Sequence, residues 1–133
     1  MARKFIHKDL RPIIQPYDDK CMVVVEPFYF ESFGVSIKID KGYIFDGASI
    51  PRIAKSMISG SFDPEYVGPA LIHDYLYTYK CDRNFPVSRA KADLVFKDCL
   101  RLNKVSTTER NAMYLVVRGG GMLAWRLKWD EKN

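Results

Sequence analysis

Three helix-start signals govern what the C-terminal two thirds of this 133-residue chain can fold into. Asp63-Pro64-Glu65 places a capping aspartate, a first-turn proline and a first-turn acid in order. Ser88 precedes a second periodic segment. Ser106-Thr107-Thr108-Glu109 has the spacing of a capping box. The first helix should carry Val67, Ala70, Leu71, Asp74 and Tyr77 to about Tyr79. The second carries Ala92, Val95, Phe96, Cys99 and Leu100. The third runs through Met113, Val116 and Val117, and Gly119-Gly120-Gly121 ends it.

Before these signals the pattern changes period. Met22 to Phe30 is rich in Val, Phe and Tyr and reads as a strand, with Pro27 marking an edge or a bulge. Glu31-Ser32-Phe33-Gly34 is a turn. Val35-Ser36-Ile37-Lys38-Ile39 alternates apolar and polar residues, as a half-buried strand does. After Asp40-Lys41-Gly42, the segment Tyr43-Ile44-Phe45 is short and extended. The expected fold is therefore α+β: a small antiparallel β meander, then a three-helix core built on an antiparallel helix pair. Read as one domain over 1–133, the chain divides into a basic arm (1–20), the meander (21–45), the helical core (46–121) and a Trp-containing tail (122–133).

A hydrophobic fraction of 47% and an aromatic fraction of 14% suffice for a packed core. The net charge of +5 fits attraction to an anionic surface, but the basic residues are scattered, which favours ordinary solubility as their explanation. No apolar run approaches the ~20 residues of a membrane span. The N-terminus lacks an apolar signal core, so synthesis in the cytoplasm without a signal peptide is expected. Cys21, Cys81 and Cys99 are odd in number and lack metal-site spacing, so they read as free thiols.

The chemistry concentrates in His73-Asp74-Tyr75-Leu76-Tyr77, which holds one of only two histidines. His73 and Tyr77 share a helix face, and Asp74 points about a quarter-turn away. Asp93 lies mid-helix among apolar neighbours, where a carboxylate needs a partner. If the first two helices pack antiparallel, Asp93 meets His73 and Tyr77. It would fix one imidazole tautomer and leave the other nitrogen as a base. Asp46 and Asp74, with the Gly47 carbonyl, offer hard oxygen ligands suited to Ca²⁺. Blander alternatives stand beside each reading: a satisfied core histidine at His73, an Arg89 ion pair for Asp93, a turn at Asp46-Gly47. Ser49 reads as a helix cap, His7 as part of the basic arm, and Trp125 with Trp129 as a core clamp or subunit contact.

The order Asp46-Gly47-Ala48-Ser49-Ile50-Pro51, His73 to Tyr77, then Arg89-Ala90-Lys91-Ala92-Asp93-Leu94-Val95-Phe96 resembles the phospholipase A2 superfamily, especially its small bacterial and fungal branch. Tyr114-Leu115-Val116-Val117-Arg118 resembles the late helix of that branch. The resemblance covers 46–121. It implies His73 as general base, Asp93 as its partner and Tyr77 as the hydroxyl bracing Asp93. It implies Asp46, Gly47 and Asp74 as calcium ligands. A single loop glycine and few carboxylates imply weak binding, on the order of 10⁻⁴–10⁻³ M. The same motifs resemble more closely a family of phage and prophage proteins known as a domain of unknown function.

These resemblances imply a phage-encoded, calcium-dependent acyl ester hydrolase acting on phospholipid or a membrane surface. The alternative is a non-catalytic virion or tail protein that keeps the helical scaffold and binds other virion proteins. Virion association fits either reading. Nucleic acid is not an expected partner, since only net charge points to it.

Overall fold

The computed structural model describes residues 10–18, 21–45 and 64–126. Two small antiparallel sheets come first. Strands β1 (Ile14–Pro16), β2 (Met22–Val24) and β5 (Ile44–Phe45) form one, in the order β1-β2-β5. Strands β3 (Phe28–Ser32) and β4 (Val35–Ile39) form the other, a hairpin with Ser32 opposite Val35. This corrects the expected single meander. Pro27 has no N–H to continue a ladder, so the run from Met22 splits into β2 and β3. β2 then pairs with β1 from the proline-rich arm and with the distant β5. Phe33 and Gly34 make the two-residue hairpin turn, with φ of 51° and 80°. Positive φ at both positions is what a type I′ turn requires.

Three helices follow: α1 (Pro64–Tyr79), α2 (Arg89–Leu102) and α3 (Thr107–Gly120). Their starts follow the sequence signals. Ser88 accepts from the Lys91 N–H at 3.1 Å, and Ser106 accepts from the Glu109 N–H at 3.2 Å. α3 extends two residues into the glycine run, because its cap Gly121 has φ of −84°, a right-handed value. The chain is helical again at 122–126.

α1 is central. Every residue from Tyr66 to Asp74 is buried. Val67, Leu71, Ile72 and Leu76 pack with the strand residues Phe30, Ile37 and Ile39. Tyr66 and Ala70 pack with Phe96, Leu100, Met113 and Val117 of α2 and α3. A helix covered all round needs little amphipathic contrast, and its sequence has little. α1 and α2 are antiparallel: His73 reaches Asp93 and Phe96, whereas Tyr77, further along α1, reaches back to Arg89.

Burying α1 raises the problem of Pro69 in its interior. Proline cannot donate to the carbonyl four residues back, that of Glu65. Asn103 supplies the missing donor: its Nδ2 lies 2.9 Å from the Glu65 oxygen. The same side chain accepts from the Leu10 N–H at 2.7 Å. Leu10 crosses α1 at Gly68, where a Cβ would stand 2.3 Å from the Leu10 carbonyl oxygen, so only glycine fits there.

Candidate functional site

α1 and α2 bring His73, Tyr77 and Asp93 together. His73 Nε2 lies 2.7 Å from Asp93 Oδ1. Tyr77 donates its hydroxyl to the same oxygen at 2.7 Å. The histidine ring also packs on Tyr77 and Phe96, at centroid distances of 4.2 and 4.8 Å. The i, i+4 spacing that puts His73 and Tyr77 on one face thus aims both at one carboxylate.

The second oxygen of Asp93 takes two guanidinium groups. Arg118 Nη1 donates to Oδ2 at 2.9 Å, and Arg89 Nη1 at 3.3 Å. Arg89 also donates to the Val117 and Arg118 carbonyls at 3.1 Å each, near the end of α3. A cation there adds a donor to carbonyls at the last turn, the Val117 carbonyl also accepting from the Gly121 N–H at 2.9 Å, and complements the helix dipole. Asp93 is thus a hub joining three helices, with four donors on two oxygens.

This environment sets the charge states. Burial alone would raise the Asp93 carboxyl. The His73 hydrogen bond and charge, with donors from Tyr77 and Arg118, outweigh it and hold the group below the usual carboxylate range. Burial and the bond to Asp93 push the Tyr77 phenol well above its ordinary value, so it stays a neutral donor. His73, Tyr77 and Asp93 all have 0% exposure, and the network reaches solvent only through Arg89 and Arg118.

Gly121 and Trp125 close the network from the C-terminal side. A Cβ at Gly121 would stand 2.5 Å from both the Tyr77 hydroxyl and the Val117 carbonyl oxygen. Trp125 meets Tyr77 edge-on at 5.0 Å and carries the Lys80 ammonium over its ring at 4.4 Å. Trp125 is therefore a core clamp. Trp129 lies outside the described residues.

Asp74 points away from this hub. It is buried, and its Oδ2 accepts the Tyr43 hydroxyl at 2.6 Å. Burial and the Asp74 charge push the Tyr43 phenol far above its ordinary range. Asp46 and Gly47, its expected partners at a cation, lie outside the described residues. Asp74 supplies a hard carboxylate oxygen of the type calcium takes, yet one carboxylate does not make a site. Among the described residues no group of three or more His, Cys, Asp or Glu is placed to hold a metal ion.

The family described as "Protein of unknown function (DUF1353)" matches residues 22–117. The chain belongs to the DUF1353 family. The match begins at β2 and ends in α3, so it includes every member of the His73 network except Arg118. A relative from Sinorhizobium fredii (strain NBRC 101917 / NGR234), the uncharacterized protein y4jT, is 30% identical over 128 residues. That match covers 96% of this DUF1353 chain but 29% of y4jT, so the chain spans less than a third of that relative. No solved structure matches.

Sequence reasoning reached His73, Asp93 and Tyr77 but missed three participants. Arg89 had been weighed only as an alternative partner for Asp93, yet it serves together with His73. Arg118 closes the Tyr114 to Arg118 segment, but nothing local says that it folds back onto α2. Tyr43 carries no signal linking it to Asp74, because the pairing depends on how β5 approaches α1. Cys21, Cys81 and Cys99 are free, as expected. Among the described residues no helix is long and apolar enough to cross a membrane.

Proposed function

We propose that this chain is a phage-encoded, phospholipase A2-like hydrolase of acyl esters. The observation that carries the reading is the 2.7 Å contact between His73 Nε2 and Asp93 Oδ1, with Tyr77 bracing the same oxygen. A proton on Nε2 directed at Asp93 makes Nδ1 the basic nitrogen. The ring is closed to solvent, so the proposed reaction requires an opening that admits water and ester to Nδ1, which then takes a proton from the water as its oxygen bonds to the ester carbonyl carbon. The tetrahedral intermediate then breaks its bond to the alcohol oxygen, which receives that proton. A fatty acid and an alcohol leave. Asp93 holds the ring and balances the imidazolium charge, while Tyr77, Arg89 and Arg118 keep Asp93 ionised and fixed. Asp46, Asp74 and the Gly47 carbonyl would hold Ca²⁺, which polarises an ester carbonyl when bound. The phage origin rests on the motif resemblance.

A second reading has its own support. His73 and Asp93 have no exposed side-chain surface, and Asp93 is fully supplied with donors. Such a network can serve only to lock three helices in one packing, as in a virion or tail assembly protein.

Fatty-acid release from mixed phospholipid vesicles, with and without Ca²⁺, separates the two. The hydrolase reading expects calcium-dependent release by the wild type. It expects a loss of roughly 100-fold or more in His73→Ala and His73→Gln, the range a general base contributes. Thermal melts identify which variants remain folded. Equal release from the wild type and a folded variant would end the hydrolase reading in favour of the scaffold.

A further inference from the structure

α1 carries a second stripe of polar aromatic residues that the His73 network does not use. Tyr75 and Tyr79 are one turn apart, and each lies two positions, about 200°, from His73 or Tyr77. They therefore face the opposite side of the helix. There they meet Tyr43, and the three rings form a triangle with centroid separations of 4.7, 6.0 and 6.3 Å. The rings are tilted against one another by 44°, 54° and 42°. With Lys38 and Asp40 from the end of β4, these tyrosines line a cleft of about 340 Å³.

We infer that this cleft binds a methylated ammonium group. A charge held about 4 Å above the triangle lies within the ~6 Å reach of a cation–π contact to all three rings. The Tyr43 hydroxyl is committed to Asp74 at 2.6 Å, which fixes that ring and places a buried carboxyl group behind it. Asp40 is 79% exposed at the rim, 3.5 Å from the Lys38 ammonium. One ammonium among two carboxyl groups leaves the cleft favourable to positive charge. Three of its five lining residues are tyrosines, and Asp40 is the one carboxylate among them. A hydrated metal ion needs more oxygen ligands than these walls offer. N-methyl groups spread a charge over apolar surface and require no acceptors. The proximity of Lys38 to Asp40 also suits a ligand whose ammonium is followed by an anionic group. The site lies across α1 from His73 and does not depend on the hydrolase reading.

The test is a titration of the full chain with choline, phosphocholine and 3,3-dimethylbutan-1-ol, the neutral isostere of choline, followed by NMR of the tyrosine ring resonances. Choline and phosphocholine should bind saturably, and the neutral isostere should bind at least roughly 5-fold more weakly. Tyr79→Ala, at a half-exposed position, should weaken choline binding by a similar factor while the melting temperature stays close to wild type. Phosphatidylcholine vesicles form the second arm. Vesicle binding displaced by free choline assigns a lipid head group, and binding of the free compounds alone assigns a soluble ligand. Equal affinity for the neutral isostere, unchanged binding by folded Tyr79→Ala, or no saturable response would overturn the proposal.

Discussion

Arg118 reaches from α3 to Asp93 on α2, with Nη1 2.9 Å from Oδ2, and so connects the last helix to the carboxylate that His73 binds. The pair is asymmetric. Asp93 has no exposed side-chain surface, whereas Arg118 is 33% exposed. Arg118→Met should therefore cost less than breaking a fully buried pair, about 1–2 kcal/mol after solvent screening. With Asp93→Asn already in place the same change should cost little. Urea unfolding of both single variants and the double variant measures this coupling. Additive effects would show that Arg118 acts elsewhere.

Asn103 serves a proline. Asn103→Ala removes the donor to the Glu65 carbonyl and both bonds to the Leu10 backbone. Leaving those buried groups unmatched should cost about 2–4 kcal/mol in unfolding free energy. Adding Pro69→Ala to Asn103→Ala restores a backbone donor for Glu65 and should recover part of the loss. No recovery in a denaturant series would mean that Asn103 stabilises through Leu10 alone.

Lys104 sits where glycine is usual. Its φ is 64°. The Lys104 N–H bonds to the Arg101 carbonyl at 3.0 Å, and the Val105 N–H to the Leu100 carbonyl at 3.0 Å. Those two bonds form a Schellman motif at the end of α2. Lys104→Gly should raise stability by about 0.5–1 kcal/mol, since release of left-handed strain exceeds the added unfolded-state entropy. The readout is a higher melting temperature with unchanged helical circular dichroism.

Asp93 links stability to acid. Its folded-state pKa is depressed, so below the unfolded value of ~3.9 the unfolded chain binds the proton more readily. The contribution is complete above that value and is lost as pH falls through the folded pKa. Unfolding free energy should therefore drop below about pH 4, and Asp93→Asn should flatten that part of the profile while lowering the plateau near neutrality. An unchanged slope in a folded Asp93→Asn variant would assign the acid transition to other carboxylates.

What could be read from the residues was local or periodic. Ser88 and Ser106 announced their helices because a cap needs only atoms within one turn. His73 and Tyr77 announced a shared target because helical spacing fixes their direction. The target itself, Asp93, was legible because a mid-helix carboxylate among apolar residues requires partners. Non-local pairing escaped. β1 joins β2, and β5 joins β2 across the β3–β4 hairpin, through backbone bonds that carry no residue signature. Arg118 and Tyr43 escaped for the same reason, since the positions of α3 and β5 decide what they touch. The burial of α1 from Tyr66 to Asp74 was not legible, because sequence period does not reveal how many neighbours cover a helix.

The contact of Leu10 with Gly68 and Asn103 has a kinetic consequence. Its receiving surface is made of two helices, and 93 residues separate Leu10 from Asn103. Neither half exists until α1 and α2 have docked. The Leu10 contact can therefore close only once those helices are in place. Leu10 covers α1 at Gly68, next to the Glu65 to Pro69 turn that Asn103 completes. A contact between residues so far apart in sequence makes closure of this seam a late, non-local step.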